Sequence, residues 1–367
     1  MARPALHIGV DGRELVGQPT GVGRYLDAVL DRWSADASFP HRLTVFLPER
    51  AASAARRDTA RITWRVLPGK NAGTWWEQTR LRSAANGAGL DVFFASGYTA
   101  PLHLAMPFAV AMYDVSFFAH PEWFGAREGW RRRWLSKSAA RRAARVVTIS
   151  DFSAAEIVRW LGIPRTRIVL APPGAPARVP GTSAADRPPV VLFVGSLFAR
   201  RRIPELISAF GQVRARVPDA RLLLVGANRA QPPIDPRALA TAAGVADGVE
   251  WREYVDDEEL GRLYGRARVF AFLSDYEGFG MTPLEAIAHG VPPVLLDTPV
   301  SREVFGEAAR LVTPAPGDIA KALVELLTDA SAAASLAAAG RARLARFSWT
   351  RAADVIREAL EGAAGAR

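Results

Sequence analysis

The feature that most limits what this chain can fold into is the segment VFAFLSDYEGFGMT, residues 269–282. Its first five residues, 269–273, form a continuous apolar run, which predicts a strand covered on both faces. Gly278 and Gly280 flank Phe279, so the backbone can turn sharply there or come close to a ligand. A buried strand followed by a glycine turn favours an α/β fold with a parallel sheet.

A helix is predicted directly after this turn. Thr282 suits the N-cap, Pro283 suits the first helical position, and Gly290 is placed to end the helix. The first turn of such a helix offers backbone N–H groups at the carboxyl edge of the sheet. That edge is where α/β proteins bind phosphates.

Two carboxylates frame the turn, Glu277 before it and Glu285 within the helix. Glu285 has a structural interpretation, because Thr282-x-x-Glu285 is also a capping box. Glu277 is either a solvated loop carboxylate or a group aimed at a hydroxyl-rich ligand. Carboxylates suit sugar and ribose hydroxyls because they accept hydrogen bonds from neighbouring O–H groups.

Short apolar runs alternate with helical stretches over the rest of the chain, which predicts parallel sheets with both faces covered. The Pro- and Gly-rich stretch at 172–189 predicts a linker. A chain of 367 residues also exceeds the usual size of one core. We therefore predict two domains, residues 1–175 and 186–348, with the C-terminal helix 350–367 joining the first. Strands are expected at 6–10, 43–47, 62–67, 92–95, 108–112, 146–149, 190–195, 222–225, 249–251, 269–273 and 294–296.

Residues 274–297, SDYEGFGMTPLEAIAHGVPPVLLD, resemble the donor site of retaining glycosyltransferase family 4, the group 1 enzymes, with a pattern closest to mannosyltransferases. The resemblance implies the GT-B fold, in which two Rossmann-like domains face each other across a cleft. In that family the first Glu, here Glu277, lies by the transferred sugar, and the second, here Glu285, holds the nucleotide ribose. The backbone from Gly278 through Phe279, Gly280 and Met281 to Thr282 is implied to contact sugar and diphosphate.

Other segments extend the resemblance. The stretch VLFVGSLFARRRIPELISAF is similar to the family's diphosphate-binding segment, which implies roles for Ser196, Arg200 and Arg201. Three arginines after a strand can neutralise a leaving diphosphate. Arg202 departs from the pattern, since it stands where an Asn is usual. The backbone near Val255 is implied to contact the nucleobase.

The N-terminal half carries a weaker set of matches. TGVGRY, which contains Gly21 and Gly23, resembles the glycine loop after the family's first strand. Asp114 and His120 are further candidates for a catalytic role, although a His before Pro also has a structural interpretation. Tyr113 stands where the family commonly has a His.

Charge is unevenly distributed. Residues 1–175 hold 24 Arg and Lys against 14 Asp and Glu, while residues 176–367 hold 23 of each. The basic stretch 123–145 also carries Trp130 and Trp134. It predicts either a solvated helix whose tryptophans pack inward, or a surface for anionic lipid headgroups. A nucleic-acid-binding surface is a third interpretation, but no recognised nucleic-acid-binding module accompanies the stretch. We expect no nucleic-acid partner.

The chain has no cysteine, which fits a reducing compartment, and it shows no signal peptide or long apolar run. We expect a cytoplasmic protein, peripheral on the inner face of the membrane if it binds lipid. The resemblance implies retaining transfer of a sugar, with GDP-mannose favoured, from a nucleotide-diphosphate donor to a glycan or polyprenyl-diphosphate-linked acceptor, without a cofactor or an obligatory metal. The alternatives are a GT-B sugar-nucleotide epimerase and an inactive homologue that binds glycan or nucleic acid.

Overall fold

The computed structural model describes residues 4–15, 21–56, 58–69, 73–177, 179 and 186–365. The chain divides into two compact units. Unit 1 comprises Met1–Gly174 together with Ser348–Arg367, and unit 2 comprises Ala175–Phe347. Within the predicted linker, residues 178 and 180–185 lie outside the described residues.

Unit 1 contains a seven-stranded sheet in the order β3-β2-β1-β4-β5-β6-β7, whose neighbouring strands pair in parallel. Consecutive parallel strands need crossover connections, and all-parallel sheets typically have helices on both faces. The strands are β1 (His7–Asp11), β2 (Arg42–Pro48), β3 (Ile62–Leu67), β4 (Val92–Ala95), β5 (Phe108–Ala111), β6 (Arg145–Thr148) and β7 (Ile168–Leu170).

The helices of unit 1 bury apolar residues against this sheet. One core cluster joins Trp76, Phe93 and Ala139, and thus packs helices from two separate crossovers onto one side. On α1, five of the six buried residues are apolar side chains spaced for one helical face. The helices are α1 (Gly21–Ala35), α2 (Thr74–Trp76), a π-turn (Glu77–Leu81), α3 (Arg82–Asn86), α4 (Ser116–Ala119), α5 (Ala126–Arg142) and α6 (Asp151–Leu161).

The C-terminal helix belongs to unit 1 although it follows unit 2 in the sequence. It spans Trp349–Ala364 and begins at Ser348, whose side chain accepts a hydrogen bond from the N–H of Arg351. The helix contacts α1 and strands β4 to β7, and Trp33 Nε1 donates to the Ala353 carbonyl at 3.1 Å. The chain thus returns to the sheet of unit 1.

Unit 2 contains a six-stranded sheet in the order β10-β9-β8-β11-β12-β13, again paired in parallel. The strands are β8 (Val190–Val194), β9 (Arg221–Val225), β10 (Val249–Arg252), β11 (Val269–Phe272), β12 (Pro293–Leu296) and β13 (Arg310–Val312). The helices are α7 (Ile203–Arg214), α8 (Pro236–Ala242), α9 (Asp257–Arg266), α10 (Met281–Ala288), α11 (Pro299–Val304), α12 (Pro316–Thr328) and α13 (Ala330–Leu344); the helix Trp349–Ala364 of unit 1 is α14.

These two parallel sheets confirm the predicted α/β class. The edge strands β7 and β13 were not predicted, because each has three residues, too few for a hydrophobic pattern. In each sheet the chain reverses its direction of travel once. The reversal lies between β1 and β4 in unit 1 and between β8 and β11 in unit 2. Ligands of open α/β sheets bind at the carboxyl ends of the strands at such a switch point.

Candidate functional site

The switch point of unit 2 brings two distant segments together. Arg200 and Arg201 follow β8, Glu277 follows β11, and these two strands are neighbours in the sheet. Glu277 Oε1 accepts from Arg201 Nε at 3.3 Å and from Ser274 Oγ at 2.8 Å, and Arg200 Nε lies 3.9 Å from the same oxygen. Two guanidinium groups and a carboxylate thus share one edge of the sheet.

Arg201 is held in a restricted environment. Its guanidinium lies over the Phe272 ring, and it donates to the Ser196 carbonyl at 3.0 Å. Burial lowers the pKa of Arg201, and the charge of Glu277 opposes that shift. Gly195 has φ +145°, a conformation that favours glycine, and the absence of a Cβ there leaves room for Arg201 NH1, which would lie 2.1 Å from it. A cation buried to this degree is stabilised by an anion beside it.

The helix after the glycine turn begins two residues earlier than predicted. α10 starts at Met281, and the N-cap is Gly280 rather than Thr282. Gly280 has φ +104°, a conformation that glycine adopts without strain. Thr282 therefore lies in the first turn, and Pro283 is not the first helical residue. Phe279 is buried against the Phe347 ring with centroids 5.2 Å apart.

The end of α10 follows the prediction. Gly290 has φ +72° and its N–H donates to the Ile287 carbonyl at 2.9 Å, while the N–H of Val291 donates to the Ala286 carbonyl at 2.9 Å. This pair of bonds is a Schellman motif.

Glu285 does not form the capping box that its spacing allows, because Thr282 is not the N-cap. Its Oε2 accepts instead from the Tyr264 hydroxyl at 3.0 Å. The Tyr264 ring stacks on His289, with centroids 4.9 Å apart, and His289 Nδ1 lies 2.8 Å from the Glu285 carbonyl oxygen. The structural interpretation of Glu285 as a capping residue is therefore wrong, and its carboxylate is oriented by a tyrosine from α9.

Arg202 adopts a left-handed conformation with φ 49° and ψ 43° at the start of α7. Its Nε donates to Asp275 Oδ1 at 2.6 Å and its NH1 to Glu205 Oε1 at 2.7 Å. Burial works against the charge of Arg202, but these two carboxylates outweigh it and raise the pKa. The family's usual Asn suits the same backbone, since Asn tolerates positive φ.

Two other predicted contacts in unit 2 lie near strand ends. Ser196 follows β8 in a turn closed by the Phe198 N–H, which donates to its carbonyl at 3.0 Å. Val255 is half-buried between β10 and α9. The acids after it lie at the start of α9, where the N-cap Asp256 accepts from the Glu259 N–H and negative charge is favourable.

In unit 1, Asp114 lies beyond the carboxyl end of β5, two positions before the first residue of the short α4. Its Oδ1 accepts from the N–H and hydroxyl of Ser116 at 2.9 and 2.7 Å, and Tyr98 donates to Oδ2 at 3.3 Å. Tyr98 has φ 61°, rare for a bulky residue, and the Arg132 guanidinium lies 4.9 Å from its ring centroid. Asp114 therefore has a structural role already, beside its predicted one.

Tyr113, at the position where the family commonly has a His, is buried. Its hydroxyl donates to the Ser96 carbonyl at 2.9 Å, and its ring makes edge contacts with Tyr25 and Tyr98. Burial raises the pKa of Tyr113 well above its usual value. The hydroxyl is thus neutral and engaged in packing.

His120 lies on the surface side of the same region. Its ring stacks on Trp123 with centroids 4.0 Å apart, and Nδ1 lies 3.0 Å from Glu122 Oε1. Gly21 and Gly23 fall in the first turn of α1. The preceding part of the predicted glycine loop, residues 16–20, lies outside the described residues.

The tryptophans of the basic helix α5 do not pack inward, so that expectation is wrong. Trp130 is 64% exposed and Trp134 is 49% exposed. Arg127, Arg131, Arg141 and Arg142 are exposed on the same helix. At 100° per residue, these six side chains fall on one face, while Gly129, Leu135, Ser136, Ala139 and Ala140 are buried on the other. The pair Trp75-Trp76 divides, with Trp75 66% exposed and Trp76 in the core.

Within the described ranges, no group of three or more His, Cys, Asp or Glu residues is arranged to hold a metal ion. In the same ranges no single helix is long and apolar enough to cross a membrane, and one pair of helices bent by 97° passes by length and composition.

Sequence reasoning missed Tyr264 and Asp275. Asp275 lies inside the SDYEGFG segment, and its position could have indicated a role. An acid there faces the arginines that follow β8 if β8 and β11 are adjacent. Tyr264 carried no local signal, because it lies on another helix 21 positions before Glu285.

Two parallel α/β units, the second with an arginine and glutamate cluster at its switch point, define the GT-B class of glycosyltransferase. The described fold agrees with a sucrose-phosphate synthase from Thermosynechococcus elongatus, at a TM-score of 0.76 and 19% identity over 96% of this chain and 98% of that one. A family model for glycosyl transferases group 1 matches residues 179–343, and one for glycosyltransferase family 4 matches residues 19–178. The chain belongs to the group 1 glycosyltransferases of family 4.

Mannosyltransferases are among the relatives. The chain is 31% identical to the O-antigen chain mannosyltransferase B of Escherichia coli over 257 residues, 65% of each protein. It is 28% identical, over 95% of its length and 96% of the relative's, to a GDP-mannose-dependent alpha-(1-6)-phosphatidylinositol monomannoside mannosyltransferase of Mycolicibacterium smegmatis. Of a second E. coli relative, the serotype-specific mannosyltransferase WbdA, it spans only 29%, at 28% identity.

Proposed function

We propose that this protein transfers a mannosyl residue from GDP-mannose, with retained anomeric configuration, to a glycan or lipid-linked glycan acceptor. The observation that carries the proposal is the convergence of Arg200 and Arg201 on Glu277 at the switch point of unit 2. The donor assignment is supported by the M. smegmatis relative, a GDP-mannose-dependent mannosyltransferase to which 95% of this chain is similar.

In this proposal the protein contributes to the reaction in two ways, by stabilising charge and by positioning the substrates. The acceptor hydroxyl oxygen forms a bond to the sugar C1, the bond from C1 to the diphosphate oxygen breaks, and the nucleoside diphosphate leaves with the bonding pair. The acceptor proton passes to a diphosphate oxygen on the same face, which retains the configuration. Arg200 and Arg201 neutralise the charge that develops on the leaving group, an effect whose removal commonly costs about 10²–10³ in kcat.

Glu277 and Glu285 hold the donor in this proposal. Glu277 exchanges part of its interaction with Arg201 for hydrogen bonds from sugar hydroxyls, because a carboxylate accepts several donors. Glu285, already oriented by Tyr264, accepts from the ribose hydroxyls. Backbone N–H groups at Phe279, Gly280 and Thr282 contact the diphosphate.

A panel of nucleotide sugars tests this function. GDP-mannose should give donor turnover that depends on acceptor, and NMR of the product should show the donor's anomeric configuration. Glu277→Gln should lower kcat by about 10²-fold, whereas Glu258→Gln, at an exposed carboxylate of α9, should not. Turnover of the sugar nucleotide without acceptor would favour the epimerase, and binding without any turnover would favour an inactive homologue.

The exposed face of α5 supports an anionic membrane as the surface on which the acceptor is presented. Trp130 and Trp134 present amphipathic rings beside four exposed arginines. Aromatic rings of this kind lie at headgroup depth, and each nearby Arg adds about 1 kcal/mol on an anionic bilayer. The protein is then peripheral on the cytoplasmic leaflet.

Vesicle sedimentation tests the membrane proposal. The protein should bind vesicles with 30–40% phosphatidylglycerol, about one lipid in three, and release from them as salt is raised. Trp130→Ser with Trp134→Ser should weaken binding about tenfold or more, while Tyr254→Ser, equally exposed in unit 2, should leave it unchanged. Equal binding to neutral phosphatidylcholine vesicles, or preference for RNA over vesicles, would contradict it.

A further inference from the structure

The segment after β8 and the segment after β11 are joined twice by Asp275. Its backbone N–H donates to the Arg200 carbonyl at 2.9 Å, and its carboxylate accepts from Arg202 Nε at 2.6 Å. Asp275 stands two positions before Glu277, and Arg202 directly follows Arg201. The two segments that carry the proposed donor contacts are therefore linked by hydrogen bonds close to the ends of β8 and β11.

Arg202 reaches Asp275 from an unfavourable backbone conformation. Its φ of 49° places a long side chain in the left-handed region, which costs roughly 1–2 kcal/mol for a residue other than glycine. Such a residue persists when its surroundings over-determine it. Here two carboxylates on different elements, Asp275 and Glu205, hold the same guanidinium.

We propose that Arg202 is a positioning residue, which clamps the arginine segment to the glutamate segment and so fixes Arg200 and Arg201 relative to Glu277. The inference rests on the proposed function, because it assigns Arg202 a role in the same reaction. Arg202 acts through Asp275 and does not contact the donor. Loss of the clamp lets the guanidinium groups move relative to the leaving diphosphate, and a misplacement of about 1 Å can cost up to roughly 10²-fold in rate.

The test compares two Arg→Asn substitutions. Arg202→Asn keeps a residue that tolerates positive φ but removes the bond to Asp275. Arg214→Asn is the matched control, since Arg214 NH2 lies 3.0 Å from Asp247 at the amino end of β10, away from the switch point. Arg202→Asn should lower kcat about tenfold and change the donor KM by less than about threefold, because the charge it helps to place develops only in the transition state. Arg214→Asn should change neither.

Asp275→Ala should reproduce the loss of kcat, and the double variant Arg202→Asn with Asp275→Ala should fall no further than either single one, since both remove the bond between Arg202 and Asp275. If Arg202→Asn does not fold, Asp275→Ala carries the test. A lower melting temperature with unchanged kcat in both single variants, or additive losses in the double variant, would overturn the proposal.

Hydrogen exchange separates this inference from the proposed function. In the absence of substrate, amides of residues 274–280 should exchange at least about threefold faster in Arg202→Asn than in the wild type, and Arg214→Asn should match the wild type. If the wild type transfers no sugar, the proposed function fails while this exchange result still tests the clamp. Unchanged exchange at 274–280 in Arg202→Asn would overturn the clamp even with full transfer activity.

Discussion

Removing one hydroxyl group from Tyr264 tests whether Glu285 is positioned for the donor ribose. In Tyr264→Phe the ring keeps its contacts with His289 and Phe270. The substitution removes the 3.0 Å hydrogen bond to Glu285 Oε2 and the weaker 3.4 Å contact with the Thr282 carbonyl. Of these two, the bond to Glu285 orients a carboxylate of the proposed donor site.

The expected loss of unfolding free energy follows from the charge of Glu285, which accepts the hydrogen bond. A hydrogen bond to a charged group contributes about 1.5–3 kcal/mol, and Glu285 is half-buried, so we expect about 1.5 kcal/mol. For a domain the size of unit 2, this loss of free energy corresponds to a fall in melting temperature of roughly 3–6 °C. The same loss of orientation should raise the donor KM about tenfold at nearly unchanged kcat, because ribose contacts are equal in the ground and transition states.

The assay is steady-state transfer from GDP-mannose beside thermal unfolding, with Glu285→Gln as the comparison. Glu285→Gln should raise the donor KM at least as much, and the double variant should not add the two effects. A stability loss in Tyr264→Phe with an unchanged donor KM would refute the reasoning, because Glu285 would then not need Tyr264 to bind donor.

Three further substitutions are predicted. Tyr113→Phe should cost about 1 kcal/mol of unfolding free energy and leave kcat unchanged, since its hydroxyl serves a main-chain carbonyl; a large fall in kcat would instead place that hydroxyl in the reaction. Gly226→Ala should cost about 3 kcal/mol or more in denaturant unfolding, because φ is +144° and a Cβ would lie 2.1 Å from a backbone oxygen; a neutral effect would contradict this packing. Burial works against the charge of Glu361, but His41 and Arg357 outweigh it and hold its pKa below 4.5. The stabilising contribution of Glu361 is therefore complete above pH 4.5 and is lost as pH falls through the depressed pKa. The difference in unfolding free energy between the wild type and Glu361→Gln should shrink below pH 4.5. A difference that does not depend on pH would disprove the pairing.

The sequence predicted most elements because their signals are local. Buried parallel strands are continuous apolar runs, and glycine at 290 marks a helix end by its conformation alone. The start of α10 was misplaced by two residues, because two residues suited to the N-cap, Gly280 and Thr282, stand close together and only the backbone geometry selects between them. The same choice converts Glu285 from a capping residue into a carboxylate held by Tyr264.

By itself the sequence determined the α/β class, the family and which residues follow which strand, since these depend on patterns within about 20 residues. The tertiary structure decided which of those residues meet. Arg201 reaches Glu277 across 76 positions only because β8 and β11 are neighbours, and Arg202 acquires its role only through Asp275. It also decided that Trp130 and Trp134 are exposed, because periodicity describes a helix face without showing what covers it.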